Sequence, residues 1–163
     1  MKRTICILGL MVVGLPLLAA AQAPVVENKD HEAMLASKDP KLAANKRVVY
    51  DFWREIVEAQ HLELMPKYTT EGYIQHNPNF QSGRKALTEM FANSGRKAKP
   101  IQPRVERPIV AIIAEGDLVT LAFVNELPDP KDKDKKYTTT GLTIFRVENG
   151  KIAEHWDTGL KNP

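Results

Sequence analysis

Ile144-Phe145-Arg146-Val147-Glu148-Asn149-Gly150-Lys151-Ile152-Ala153-Glu154-His155-Trp156-Asp157 decides the fold of this chain. Asn149-Gly150 separates two runs rich in β-branched and aromatic residues, and both positions of a two-residue hairpin turn need φ > 0, which Asn and Gly accept most readily. The pattern predicts strands over 137–148 and 151–158. With that turn, Glu148 faces Lys151, Val147 faces Ile152, Phe145 faces Glu154, Thr143 faces Trp156 and Leu142 faces Asp157. His155 and Asp157 then share one face with Leu142 and Ile144, and Glu154 and Trp156 share the other with Thr143 and Phe145. An imidazole and a carboxylate beside aliphatic residues form a candidate site, because burial raises a carboxyl pKa toward the range useful for proton transfer. Alternation by itself leaves open which face is buried.

Upstream, the chain reads as helices first and sheet second. Asp39-Pro40 is a helix start, an Asp cap followed by proline at the first helical position. Leu42, Val49, Phe52, Trp53, Ile56 and Val57 then recur at three- and four-residue intervals, with Arg47, Asp51, Arg54, Glu55 and Glu58 on the other side. A short second helix is expected over 61–68, a turn at Thr69-Thr70-Glu71-Gly72, and an extended piece from Tyr73 to Asn77 stopped by Pro78. Ser82 or Gly83 opens a third helix that presents Leu87, Met90 and Phe91 on one face. Arg104–Ala114 and Leu118–Leu127 read as strands joined at Glu115-Gly116-Asp117, and the alternating charges of 128–136 read as a solvated loop. The whole indicates a single α+β domain over 39–163, with helices covering one face of a curled, largely antiparallel sheet that encloses a pocket.

The first 21 residues have the pattern of a cleaved signal peptide: Lys2 and Arg3, an apolar run from Ile5 to Leu18, then Ala19-Ala20-Ala21. Cleavage is expected after Ala21, because a cut after Ala23 would put Pro24 beside the scissile bond. Export to the periplasm or the medium follows, with no membrane span after cleavage. Residues 22–38 read as a mobile leader. The only cysteine, Cys6, falls within the signal, so no disulfide is expected. Of 23 basic and 20 acidic residues, removal of Lys2 and Arg3 leaves a net charge of +1, which gives no reason to expect nucleic acid as a partner. No His or acidic pair sits at ligand spacing on one element, so no metal is expected.

Tyr73-Ile74-Gln75-His76-Asn77-Pro78, Gly83, Ala114-Glu115-Gly116-Asp117 and the run from Ile144 to Asp157 together resemble the SnoaL-like polyketide cyclase family, within the nuclear-transport-factor-2-like superfamily. The resemblance runs in order from about Asn45 to Asp157. It implies a cone made of a strongly bent mixed sheet wrapped by helices, and cofactor-free chemistry, in which an aspartate in an apolar cavity acts as general acid and base in an intramolecular aldol condensation. Carried over by position, that role falls to Asp157, with His155 and His76 as further catalytic candidates. Asn77, Tyr73, Trp156, Leu142 and Ile144 are the expected substrate-binding residues, though Trp156, sharing a face with Phe145, reads first as core and Tyr73 as either core or pocket wall. Thr139, Thr140 and Thr143 stand where family members often carry an acidic residue or histidine. The implied partners are a small apolar, carbonyl-bearing molecule and a second copy of the chain.

Overall fold

The structure, a computed structural model, describes residues 22–163, so the expected signal segment with its cleavage site and Cys6 lies outside the described residues. Helix α2 (Pro40–Phe52) begins as its sequence dictates: the Asp39 carboxylate accepts from the backbone N–H of Lys41 at 2.7 Å and of Leu42 at 3.4 Å, with Pro40 at the first position. The helix then widens into a π-helical segment, Trp53–Glu58, in which the Ala59 N–H reaches back five residues to the Arg54 carbonyl. That extra width changes which side chains face inward. Glu55, expected on the solvent side, is buried and ringed by the Tyr68 hydroxyl, Lys67 and Arg54. Burial pushes its carboxyl up, but these three donors more than offset that and hold it below the ordinary carboxylate value.

The short helical stretch expected over 61–68 resolves into a 3₁₀ turn (Leu62–Leu64) and α3 (Met65–Tyr68). Thr69–Gly72, expected as a turn, is instead the first half of strand β1 (Thr69–Gln75), because the fully buried Thr69 pairs with Ile152. Tertiary pairing overrides the local turn signal here. Helix α4 (Arg84–Ala92) follows Gly83, whose φ of 99° is open chiefly to glycine.

Strands β2 (Ile109–Glu115), β3 (Leu118–Pro128), β4 (Lys136–Glu148) and β5 (Lys151–Asp157) complete a mixed sheet of order β1-β5-β4-β3-β2. β1 runs parallel to β5 and every other pair is antiparallel. The first of these strands was expected from Arg104, yet 104–108 is a loop leading into β2. Val119, Leu121, Phe123, Phe145, Val147 and Ile152 fill the concave face and pack with Tyr50, Ile56 and Met65 from the helical side. The fold is therefore α+β, with helices lying in the curl of a bent sheet.

Two features depart from the expected pattern. Residues 22–38 are not a free leader: α1 (His31–Leu35) packs on the domain through buried His31 and Leu35. His31 Nδ1 hydrogen-bonds the Tyr50 hydroxyl at 2.7 Å, and the buried Lys46 ammonium donates to the Met34 and Ala36 carbonyls at the helix end. The second departure is in the hairpin. Asn149 and Gly150 take positive φ as predicted, and Glu148 and Val147 face Lys151 and Ile152. Beyond them Ala153 forms a bulge: Arg146 now faces Glu154, Phe145 faces His155, Ile144 faces Trp156 and Thr143 faces Asp157. The slip of one residue exchanges the predicted faces. Ile152 and Ala153 are accordingly both buried, which strict alternation forbids.

Candidate functional site

The bulge places His155 and Asp157 on the concave face with Thr143 and Phe145, where they line a cavity of about 230 Å³ between the sheet and the helices. Phe52, Trp53 and Val57 from α2 and its π-helical extension, Leu87, Met90 and Phe91 from α4, and Phe123 and Phe145 from the sheet give it apolar walls. Tyr73, Gln75, Thr143, His155, Asp157 and Arg107 are its polar members. Trp53, read as core from its spacing, is a wall of this cavity.

Asp157 is held from the β1 side. Asn77, itself buried, donates its amide to both carboxylate oxygens at 2.9 Å, and the Gly159 N–H donates to Oδ1 at 2.8 Å. His155 is anchored at both nitrogens. Gln75 Oε1, an acceptor only, accepts the Asn77 N–H at 3.0 Å and, with its second lone pair, the His155 Nδ1–H at 2.8 Å. Nε2 is then the acceptor of the Thr143 hydroxyl at 2.7 Å. Burial pushes the His155 pKa down to about 4, against the opposing pull of Asp157, so the ring is neutral near pH 7. Gln75 Nε2 points the other way, to the Tyr73 hydroxyl at 3.4 Å. Tyr73 is buried, and burial together with the Asp157 carboxylate pushes its phenol pKa well up. It keeps its proton, and the hydroxyl hydrogen has no acceptor among the described residues.

The remaining predicted residues lie elsewhere. Ile144, Leu142 and Trp156 belong to the convex face, which the bulge gives them in place of His155 and Asp157; Leu142 is 45% exposed. His76 is also outside. Its ring stacks on Trp156 at 4.9 Å and pairs with Glu154 at 2.7 Å, while Arg146 binds the other Glu154 oxygen and Asp117. This ladder ties β1, β5, β4 and the β2–β3 turn together on the outer surface and takes no part in the cavity. Among the described residues no group of three His, Cys, Asp or Glu side chains is arranged to hold a metal ion.

Three polar cavity residues escaped the sequence reading. Gln75 lies within the Tyr73–Pro78 motif, where an amide on an extended segment signals no role by itself. Thr143 was assigned to the wrong face by the unseen bulge. Arg107 sits in a segment read as strand, and nothing in the residues near it signals a pocket. Its guanidinium lies over the Phe123 ring at 4.3 Å and the Trp53 ring at 5.7 Å, and it donates to Asn125 Oδ1 at 2.6 Å.

Residues 49–155 match the SnoaL-like domain family. No curated protein matches the sequence. Among solved structures, a candidate SnoaL-like polyketide cyclase from Jannaschia sp. CCS1 shares 17% identity over 76% of this chain and 91% of its own, with a TM-score of 0.51. A candidate polyketide cyclase from Bacillus cereus shares 24% identity over 88% of this chain and 90% of its own, with a TM-score of 0.47. An epoxide hydrolase from M. tuberculosis, of the LEH-like type, shares 16% over 70% and 80%, with a TM-score of 0.49. At these identities the likeness is one of fold.

Proposed function

The chain belongs to the SnoaL-like domain family, and from that premise we propose that it is a cofactor-independent acid/base enzyme acting on a small apolar carbonyl compound. One observation carries this reading: a carboxylate cradled by Asn77 and Gly159 lines an apolar cavity together with a buried tyrosine whose hydroxyl hydrogen is uncommitted. In this reading Asp157 removes a proton from the carbon α to the substrate carbonyl. The C–H electrons move to the carbonyl oxygen, and Tyr73 donates to that oxygen as its charge develops. The proton on Asp157 then returns to a different carbon, giving an isomer, or to the alkoxide left when the enolate carbon adds to a second carbonyl of the same molecule, closing a ring. His155 is the positioning residue here, because its two nitrogens are engaged by Gln75 and Thr143 and it remains neutral.

At about 230 Å³ the cavity is smaller than the ~300–1,000 Å³ usual for drug-sized ligands, which favours a single-ring or short-chain substrate over a multi-ring polyketide. Asp157→Asn should lower kcat/KM on such a substrate at least ~100-fold with the fold intact by circular dichroism. Unchanged turnover in that variant would exclude Asp157 as the proton carrier. A second reading, a ligand-binding protein without turnover, is favoured by the locked His155, which takes the imidazole out of the chemistry. Native mass spectrometry separates the two: a retained, unconverted ligand supports binding alone.

Export and pairing complete the proposal. Lys2, Arg3, the apolar run and Ala19–Ala21 support a periplasmic or secreted protein, and the exposed Ile74, Ile113 and Leu142 support a homodimer that covers the convex sheet face. The mass of the purified protein and its elution volume test both.

A further inference from the structure

Arg107 is a guanidinium without a counter-ion. Among the described residues no carboxylate lies within ion-pair distance of it, whereas the half-buried guanidiniums of Arg54 and Arg146 are both ion-paired. Glu58, the nearest candidate, spends one carboxylate oxygen on the Glu106 N–H and the other on the Arg107 N–H, each at 2.9 Å. The guanidinium itself makes a single hydrogen bond, to the neutral Asn125, and so keeps donors for another acceptor. Two aromatic rings flank it on a cavity wall, and they shed enough water to push its pKa down from the usual guanidinium value, with Glu58 only partly opposing. The Trp53 indole N–H beside it is buried and, among the described residues, has no acceptor. The Arg107 side chain is still reached by water, so its open donors stay available, while the buried indole N–H is costly unless an acceptor reaches it; an anion beside both would serve the two together.

We propose that Arg107 is the anion-recognition group of this cavity and that the ligand carries a carboxylate in addition to its carbonyl. This rests on the reading of the cavity as the substrate site and narrows the substrate class to small keto acids. The placement fits such a molecule. Arg107 packs against Phe123 and Asn125 on β3, whereas Asp157 stands on β5, two strand spacings or about 10 Å away across the sheet and offset along it, in register with Leu121 through Thr143. A carboxylate held at β3 would present the far end of a single-ring or short-chain ligand to Asp157 and Tyr73. The same separation keeps the ligand's charge away from the Asp157 carboxylate.

Benzoate and benzamide, equal in shape and different in charge, provide the test by titration calorimetry on the folded mature chain. Benzoate is expected to bind at least ~10-fold more tightly than benzamide. Arg107→Gln should erase the preference, and Arg107→Lys should keep part of it, since a point charge survives without the planar fork. Equal binding of the two probes, binding of neither at ~10 mM, or a preference that survives in folded Arg107→Gln would each overturn the inference. Asp157→Asn should retain the benzoate preference or raise it by removing a like charge. The anion site and the acid/base reading can therefore fail separately: the first is decided by probe selectivity at Arg107, the second by turnover at Asp157.

Discussion

Asp157 and His155 lie two residues apart on one strand, yet their surroundings give them different work. Two donor groups, the Asn77 amide and the Gly159 N–H, fix the Asp157 carboxylate without enclosing it, whereas His155 is half-buried with both nitrogens bonded. Gly159 matters to the first arrangement. A Cβ there would overlap Asn77 Nδ2 and come within 2.8 Å of Asp157 Oδ1. Gly159→Ala should therefore cost less than about 1 kcal/mol in urea unfolding, because the displaced atoms are side-chain tips, but should weaken turnover or ligand binding at least ~10-fold. A loss confined to stability would show that the cradle has no functional role. For His155 the linkage has a definite sign. The unfolded chain protonates this ring near 6.5, the folded chain only near 4, so stability is lost as pH falls through that window, by up to about 3 kcal/mol. Urea midpoints between pH 7 and 4 should show this slope in the wild type and a shallower one in His155→Gln.

At the scale of elements, the bulge at Ala153 and the π-helical segment at Trp53–Glu58 decide what the cavity contains. Each adds backbone where a regular element would have none, and each re-aims the side chains beyond it. Deleting Ala153 removes the bulge while leaving Glu154 opposite Arg146, so His155 and Asp157 still face inward. Inserting an alanine between Glu154 and His155 turns both outward and brings Trp156 inside. The deletion is thus expected to keep measurable ligand binding or turnover, and the insertion to abolish it. Equal loss in both would mean that the bulge itself, through the bend it gives β5, sets the cavity. Thr69 shows the same contest in β1: Thr-Thr-Glu-Gly resembles a turn locally, but parallel pairing with β5 draws it into the sheet.

On the scale of the whole molecule, the matched family region begins at residue 49, but the folded unit begins earlier. Leu35, His31 and Lys46 join α1 to the first long helix, and the Asn28 N–H donates to the Ile109 carbonyl at 2.7 Å. Leu35 is only 4% exposed, so Leu35→Ala should cost about 2–3 kcal/mol in chemical denaturation, the penalty of a core truncation. A change below about 0.5 kcal/mol, typical of a surface site, would mean that this segment does not pack as described.

The order of elements from Pro40 onward, the Asp39 cap, the Asn149-Gly150 turn and the α+β class were legible in the chain, because each depends on residues close in sequence and on local rules of capping, φ and alternation. The pairing next to the turn was legible for the same reason. Tertiary structure decided the rest. Only long-range packing could bury both Ile152 and Ala153, and that one-residue slip moved Leu142, Ile144 and Trp156 out of the cavity and Thr143 into it. Nor could spacing bring Arg107 from a loop to Phe123 and Trp53, or His76 to Trp156 on the outer face, since those meetings depend on how the sheet bends. His155 and Asp157 were nominated with the wrong neighbours: their types suggested chemistry, and the bent sheet determined what surrounds them.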